Sequence, residues 1–424
     1  MKMLARAPHV KDSRSEGVPP GDFDAARLAG KSVAMVVFSQ YPWDPRPRRA
    51  AEALADAGMH VDLVCLRGRP EEPARETAAG VNVRRLPIRH RRSGFFAYAY
   101  QYSAFILLSA LILAFRTLSR RYDLVYVHNM PDVLVLAGLV PKLFGAKVIL
   151  DLHDPMPELM MTIFGAGSES RSVGLLKLCE KWSTRFVDSV ITVNRACAHI
   201  FGRRSCPAEK ITVVMNSPDH NIFGLRPVVS RPPAANGHQP FVLMYHGSIV
   251  ERNGLDLAVE ALALARGSVP RAELRVYGGP ANAFLERVKE SVRRHGMEEA
   301  VRFLGPKSAE EIANEILACD VGLIPNRRNI FTELNTPTRI FEYLALGKPV
   351  IAPRSAGIRD YFDERSLIFF ELGDAEDLAR QIESVFSRYD EALEITRRGQ
   401  QVHHAHRWQQ ERLKLLEVVA GLVG

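Results

Sequence analysis

Short apolar runs alternate with amphipathic stretches from about Lys31 onward. The first run, Ser32–Phe38, reads as a strand, and Pro47–Ala57 follows with helical spacing and Gly58 as its stop signal. His60–Leu66 and Val81–Leu86 read as the second and third strands. Leu124–His128 and Val148–Leu150 enclose a helix around Asp132–Phe144, and Val190–Val193 and Ile211–Met215 complete the series. Strand–helix–strand alternation predicts right-handed βαβ units on a parallel sheet.

The alternation stops at residues 224–240, which hold four prolines and no apolar period, and this segment reads as a linker. It restarts with Phe241–Tyr245, a helix over Leu255–Ala265, Leu274–Tyr277, a helix over Ala283–His295 and Val301–Leu304. A helix over Ala309–Ala318, Val321–Pro325, a helix over Arg339–Leu346 and Val350–Ala352 follow. The expected plan is a mobile tail over 1–30, a Rossmann-like domain over 31–223, the linker, a second Rossmann-like domain over 241–404, and a C-terminal helix over 405–424. Ligands bind open α/β sheets at the carboxyl ends of strands. Two such domains facing each other predict an interdomain cleft lined by the residues just after the strands.

One stretch breaks this pattern. Phe95–Phe115 carries no charge, and only Gln101, Ser103 and Ser109 interrupt its apolar residues. About 20 such residues suffice to span a bilayer, but a span would put the third and fourth strands on opposite sides of it. The alternatives are a helix buried against the sheet and a helix that also docks on a membrane surface. The flanks favour docking. Arg84, Arg85, Arg89, Arg91 and Arg92 precede the segment, and Arg116, Arg120 and Arg121 follow it. A cation near anionic lipid contributes about 1 kcal/mol, and Phe95, Phe96, Tyr98, Tyr100 and Tyr102 are of the type found at headgroup depth. Residues 84–121 are therefore a candidate membrane-docking segment.

Composition narrows the class. With 47% hydrophobic and 25% charged residues the chain is an ordinary folded protein, not a disordered, collagen-like or multi-span one. Its net charge of +8 calls for an anionic partner. Cys65, Cys179, Cys197, Cys206 and Cys319 form no C-x-x-C pair and have no histidines at ligand spacing. No structural metal or disulfide framework is expected, and a reducing cytoplasm fits. Residues 1–30 lack a signal-peptide h-region.

The chemistry sits after the strands. The first turn holds Asp44, Arg46 and Arg48 but no G-x-G-x-x-G and no Walker A run, which weakens dinucleotide and P-loop readings. These residues either cap and solvate a helix start or contact an acceptor or phosphate. Two successive strand ends offer His128 and Asn129, then Asp151, His153, Asp154 and Glu158. In the second half, Gly247 and Gly278 permit close backbone approach, and Arg252 suits a phosphate. Pro337 suits a helix start. Thr336, Thr338 and Arg339 then place hydroxyl, amide and guanidinium donors at a helix N-terminus, a site for a diphosphate. Glu342, one turn in, can accept from vicinal hydroxyls such as a ribose.

At these motifs the chain resembles a GT-B glycosyltransferase of family 4. The matching stretches are Tyr41–Arg49, Tyr122–Asn129, Asp151–Asp154, Val214–Ser217, His246–Ser248, Glu251–Gly254 and Pro337–Val350, the last being the most specific. The resemblance implies a nucleoside diphosphate sugar as substrate, with no cofactor and no metal. Gly247, Ser248, Arg252, Asn253, Gly278, Glu333, Thr336, Pro337, Thr338, Arg339 and Glu342 would hold this donor, and Asp44, Arg46, His128, Asn129, Asp154 and Glu158 the acceptor. His153, Asp151 and Glu342 would carry catalysis, with the anomeric configuration retained. One departure stands out. The family carries two glutamates separated by seven residues, whereas Leu334 lies eight positions before Glu342 and Glu333 is one place out of register.

The expected function is a cytoplasmic transferase, peripheral on the inner face of the membrane, acting on a lipid-linked or polysaccharide-precursor glycan. The alternatives are a nucleotide-sugar epimerase of the same fold and a non-catalytic glycan- or lipid-binding scaffold. Nucleic acid is the least supported partner, because no recognition module appears.

Overall fold

The computed structural model describes residues 24–88, 94–230 and 240–424. The tail up to residue 23, Arg89, Arg91, Arg92, the side chains of Phe95, Phe96 and Tyr98, and residues 231–239 lie outside them. The chain divides into two compact units.

The first unit holds β1 (Ser32–Gln40), β2 (His60–Leu66), β3 (Arg75–Ala78), β4 (Val81–Leu86), β5 (Leu124–His128), β6 (Lys147–Leu152), β7 (Ser189–Thr192) and β8 (Ile211–Val213). They form one sheet in the order β3-β4-β2-β1-β5-β6-β7-β8. Every pairing is parallel except β3 with β4. That hairpin is unforeseen because Arg-Glu-Thr-Ala carries no apolar alternation. Its turn is Ala79-Gly80, both at positive φ (48° and 74°), the geometry that suits a two-residue hairpin. Its helices are α1 (Pro45–Asp56), α2 (Gly94–Ser119), α3 (Leu139–Leu143), α4 (Met156–Phe164), α5 (Arg171–Phe186) and α6 (Arg195–Arg204). The helix expected around Asp132–Phe144 is two pieces, a 3-10 stretch at Asp132–Gly138 and then α3. The sheet core gathers Val36, Val64, Val125, Val148 and Val190 with Phe105 and Leu113 of α2.

The second unit holds β9 (Phe241–His246), β10 (Ala272–Tyr277), β11 (Val301–Gly305), β12 (Val321–Leu323), β13 (Val350–Pro353) and β14 (Ile368–Phe370). The order is β11-β10-β9-β12-β13-β14, parallel throughout. Its helices are α7 (Leu255–Ala265), α8 (Ala283–Arg294), α9 (Ala309–Ala318), α10 (Ile330–Leu334), α11 (Thr338–Ala345), α12 (Ala356–Arg359), α13 (Ala375–Ser387) and α14 (Tyr389–Ala405). β14 escaped the sequence reading because three residues carry no period.

The boundary differs from the expected linker. The first unit runs to Met215 and the second begins at Asn216. Residues before 231 pack along the second unit: the Arg226 amide donates to the Ala345 carbonyl at 2.7 Å. The last helix, α15 (Trp408–Val423), belongs almost wholly to the first unit. Leu415, Leu416, Val419 and Ala420 are its buried face, and Glu411 accepts from the Met215 amide at 2.8 Å.

In both sheets the strand order reverses beside the first strand, between β1 and β5 and between β9 and β12. Such switch points open a crevice at the carboxyl ends of the strands.

Candidate functional site

In the first unit the site is built on three elements. α1 starts beyond β1, with Asp44 accepting from the Arg46 amide and Pro45 in the first turn. This start aims Arg46 along the strand ends. Asp151 is the register partner of His128 across β5 and β6, so the two point to the same side. Arg46 meets Asp151 through Nε and Nη2, at 3.0 Å to Oδ2 and 2.7 Å to Oδ1, and its Nη1 donates to the Val214 carbonyl at 2.8 Å. The Tyr126 hydroxyl donates to Asp151 Oδ2 at 3.0 Å. His128 Nδ1 lies 3.4 Å from that oxygen and 3.0 Å from His153 Nε2.

Burial alone would raise the Asp151 carboxyl, but the Arg46 guanidinium, then His153 and His128, hold it well below the usual carboxylate range. Burial pulls His153 down to about 3 against the pull of Asp151, so it is neutral at working pH. The distances fit a proton on His128 Nδ1 shared between Asp151 and His153, which leaves His153 its Nδ1–H as donor. His153 has 18% of its side chain exposed, against 1% for Asp151 and none for His128.

The other first-unit residues hold the fold. Asn129 is buried; its Nδ2 donates to Asp132 at 3.0 Å and to the Asp154 carbonyl at 3.1 Å, and its Oδ1 accepts from the His153 amide at 2.8 Å. Asn129 therefore positions His153. Glu158 is buried and accepts from Arg204 at 2.6 Å, so it is withdrawn from any acceptor. Arg46 is likewise consumed by Asp151. Of the expected acceptor set, Asp44 and Asp154 keep partial exposure.

The donor atoms of His128, Asp151 and His153 lie within 4.8 Å of one another, as metal ligands would. The fit is poor. Arg46 and Tyr126 occupy the Asp151 oxygens, the two histidines bond to each other, and the Arg46 charge repels a cation.

In the second unit a cavity of about 590 Å³ opens at the ends of β9, β10 and β11. Phe223, His246, Gly247, Ser248, Tyr277, Gly278 and Lys307 line it, with Glu342 of α11. Gly247 sits at φ 124°, and a Cβ on Gly278 would lie 2.0 Å from the Gly247 carbonyl oxygen, so both must be glycine. Asn253 and Tyr245 each donate to the Ser248 carbonyl at 2.8 Å and fix this turn. Arg339 donates to the His246 carbonyl at 2.6 Å and stacks over Tyr245, so it braces the turn from α11. The N-cap residue of α11, Pro337, makes no side-chain cap hydrogen bond, which leaves the helix's first amides for a ligand. Arg252 lies over the Phe331 ring and has no carboxylate partner among the described residues. His246 Nε2 is 3.3 Å from Glu342 Oε2 but off the hydrogen-bonding direction. Burial, then the Arg339 charge, lowers His246 to about 3, so this contact is not an ion pair.

Two expected donor ligands have structural partners. Glu333 accepts from the Ala356 amide at 3.1 Å, and Thr336 donates to the Gly357 carbonyl at 2.7 Å. Tyr277 and Lys307 were missed. Both lie at the ends of strands, which was the available signal, and Glu315 ties them together at 2.6 and 2.5 Å.

The family described as glycosyl transferase 4-like domain matches residues 44–217, and glycosyl transferases group 1 matches residues 240–388. The amylovoran biosynthesis glycosyltransferase AmsK of Erwinia amylovora is 25% identical over 45% of each chain. A D-inositol 3-phosphate glycosyltransferase of Arthrobacter is 26% identical over 63% of this chain and 62% of its own. These matches span less than two thirds of the length of those curated relatives. Among solved structures, sucrose-phosphate synthase of Thermosynechococcus elongatus superposes with a TM-score of 0.73 at 19% identity, covering 92% of this chain and 99% of that one. HepE of Anabaena, solved with UDP-glucose, gives 0.68 at 16% identity over 92% and 99%. With both halves matched in sequence and the two parallel sheets matched in fold, the chain belongs to the GT-B glycosyltransferases, its first unit 4-like and its second of group 1.

Proposed function

We propose that this glycosyltransferase moves a sugar from a nucleoside diphosphate donor to a lipid-linked or polysaccharide-precursor acceptor. Retention of anomeric configuration and the absence of any metal or cofactor are part of the reading. One observation carries the donor: the cavity at the second sheet's strand ends holds Glu342, and the uncapped start of α11 adjoins it. Glu342 would accept from the ribose hydroxyls. The amides of Thr338 and Arg339, with Arg252, would stabilise the charge that develops on the leaving diphosphate, the largest single term in such transfers. HepE's complexes with UDP and UDP-glucose support a uridine donor. AmsK supports a polysaccharide precursor as acceptor. On the first unit, neutral His153 would serve catalysis. Asp151, locked by Arg46, is a positioning group and not a nucleophile. The protein would act in the cytoplasm, at the inner membrane face.

The test begins with thermal shifts against UDP, GDP and ADP. One base should raise the melting temperature by linkage. Glu342→Ala and Arg252→Ala should each lower donor turnover about 10²-fold or more without changing the melting curve of the free protein. A chelator should leave turnover unchanged. Wild-type turnover in both variants would overturn the donor assignment, and product from donor alone would favour an epimerase. The acceptor panel should include inositol 3-phosphate, the substrate named for several relatives.

A further inference from the structure

α5 is turned inside out. Its inward side carries Glu180, Ser183 and Thr184, all at 0% exposure, whereas Leu175, Leu178 and Trp182 are 58%, 63% and 44% exposed. Spacings of three and four residues put these three on one helix face. The inversion is fixed by ion pairing. Arg204 donates to Glu180 at 2.5 Å and to Glu158 at 2.6 Å, Ser205 also donates to Glu180, and Thr184 donates to the Ser205 carbonyl at 2.8 Å. Rotating the helix to bury its leucines would strand this buried charge, which costs more than the leucines return.

The exposed apolar face extends beyond α5. The helix packs on the 3-10 stretch Asp132–Gly138, which with α3 also packs on α2. Leu136, Leu139 and Leu143, again three and four apart, are exposed there. On α2, Leu107, Leu111, Phe115 and Leu118 repeat the pattern. Ala99–Ser119 is long and apolar enough to cross a membrane, but it joins β4 to β5, and both belong to one sheet. It can lie along a bilayer and cannot cross one.

Charge selects the occupant. Exposed Arg171 and Arg185 sit at the two ends of the α5 apolar face, and exposed Arg120 and Arg121 follow α2. α2 contains no acidic residue, and the single one in α5, Glu180, points inward. The exposed carboxylate nearest α5 in sequence is Glu169, in the loop before it. A second copy of this chain would bring like cations face to face, whereas anionic headgroups complement them. We propose that this face of the first unit docks on an anionic lipid bilayer. Leucines and Trp182 enter the acyl boundary, and the arginines sit at phosphate level. The surface does not depend on the transferase reading; of that reading, only the lipid-linked acceptor draws on it.

The full chain should co-sediment with vesicles of phosphatidylcholine mixed equally with phosphatidylglycerol at low salt. Partition should fall about tenfold or more with pure phosphatidylcholine or at high salt. Leu175→Ser/Leu178→Ser/Trp182→Ser should lose a similar factor without a lower melting temperature, because these side chains face outward. Arg171→Glu/Arg185→Glu should do the same, and decides the matter if the triple variant melts early. Unchanged partition in the variants, or no pelleting with anionic vesicles, overturns the proposal. A dimer in sedimentation equilibrium that the triple variant dissociates, without vesicle binding, also overturns it. Failure of donor turnover would leave this result standing, so the two readings fall separately.

Discussion

The residue that organises the first unit's site is Arg46, and its role follows from burial. Its guanidinium and the Asp151 carboxylate are 9% and 1% exposed, so each neutralises the other where water cannot. Arg46→Met should therefore cost about 3–5 kcal/mol in urea unfolding, because it leaves the buried Asp151 carboxylate without its counter-charge. Arg46→Met/Asp151→Asn should recover a large part of that loss; a double variant no more stable than the single would refute the pairing. The types and positions of His128, Asp151 and His153 were legible in sequence, since each lies at or beside the end of a strand. That Arg46 belongs to Asp151 was not. The two are 105 positions apart, and spacing says nothing about which carboxylate a cation meets.

Among elements, the turn after β9 and the start of α11 make the proposed donor side. The helix start at Pro337 and the register of Glu342 were readable because helix-start chemistry is local. The packing of the turn was not. A Cβ at Gly278 would collide with the Gly247 carbonyl at 2.0 Å. Gly278→Ala should abolish the nucleotide-induced thermal shift and cost about 1–3 kcal/mol. Gly167→Ala, with nothing within 4 Å of its Cβ, is the neutral control; equal behaviour of the two variants would dismiss the close approach. α5 gives the opposite lesson. Leu175, Leu178 and Trp182 have the spacing of a core stripe, and periodicity alone would point them inward. A distant arginine, Arg204, decides that the polar side faces in.

At the scale of the whole molecule, three histidines set the acid limit. Burial lowers His153 and His246 to about 3 and His403 to about 4, against about 6.5 in an unfolded chain. The unfolded state therefore binds more protons below pH 6.5, and stability falls as pH drops through that window toward the folded values. Asp132 opposes this, because burial raises it to about 7, so it adds stability as pH falls from 7 toward 4. With three groups against one, the melting temperature should fall between pH 6.5 and 4. His403→Leu should shallow that fall by on the order of 3 kcal/mol; an identical pH profile for the variant would remove His403 from the account. The sequence alone determined the two α/β units, the polar strand ends of the candidate sites and the helix start at Pro337. These rest on local periods, turn residues and helix-start chemistry, which neighbouring residues encode. Tertiary structure alone decided where the first unit ends, that α15 returns to it, and that Glu158 and Arg46 are internal counter-charges. It also decided that α5 shows its apolar face outward. These depend on contacts between residues far apart in the chain, where burial and ion pairing override what local pattern favours.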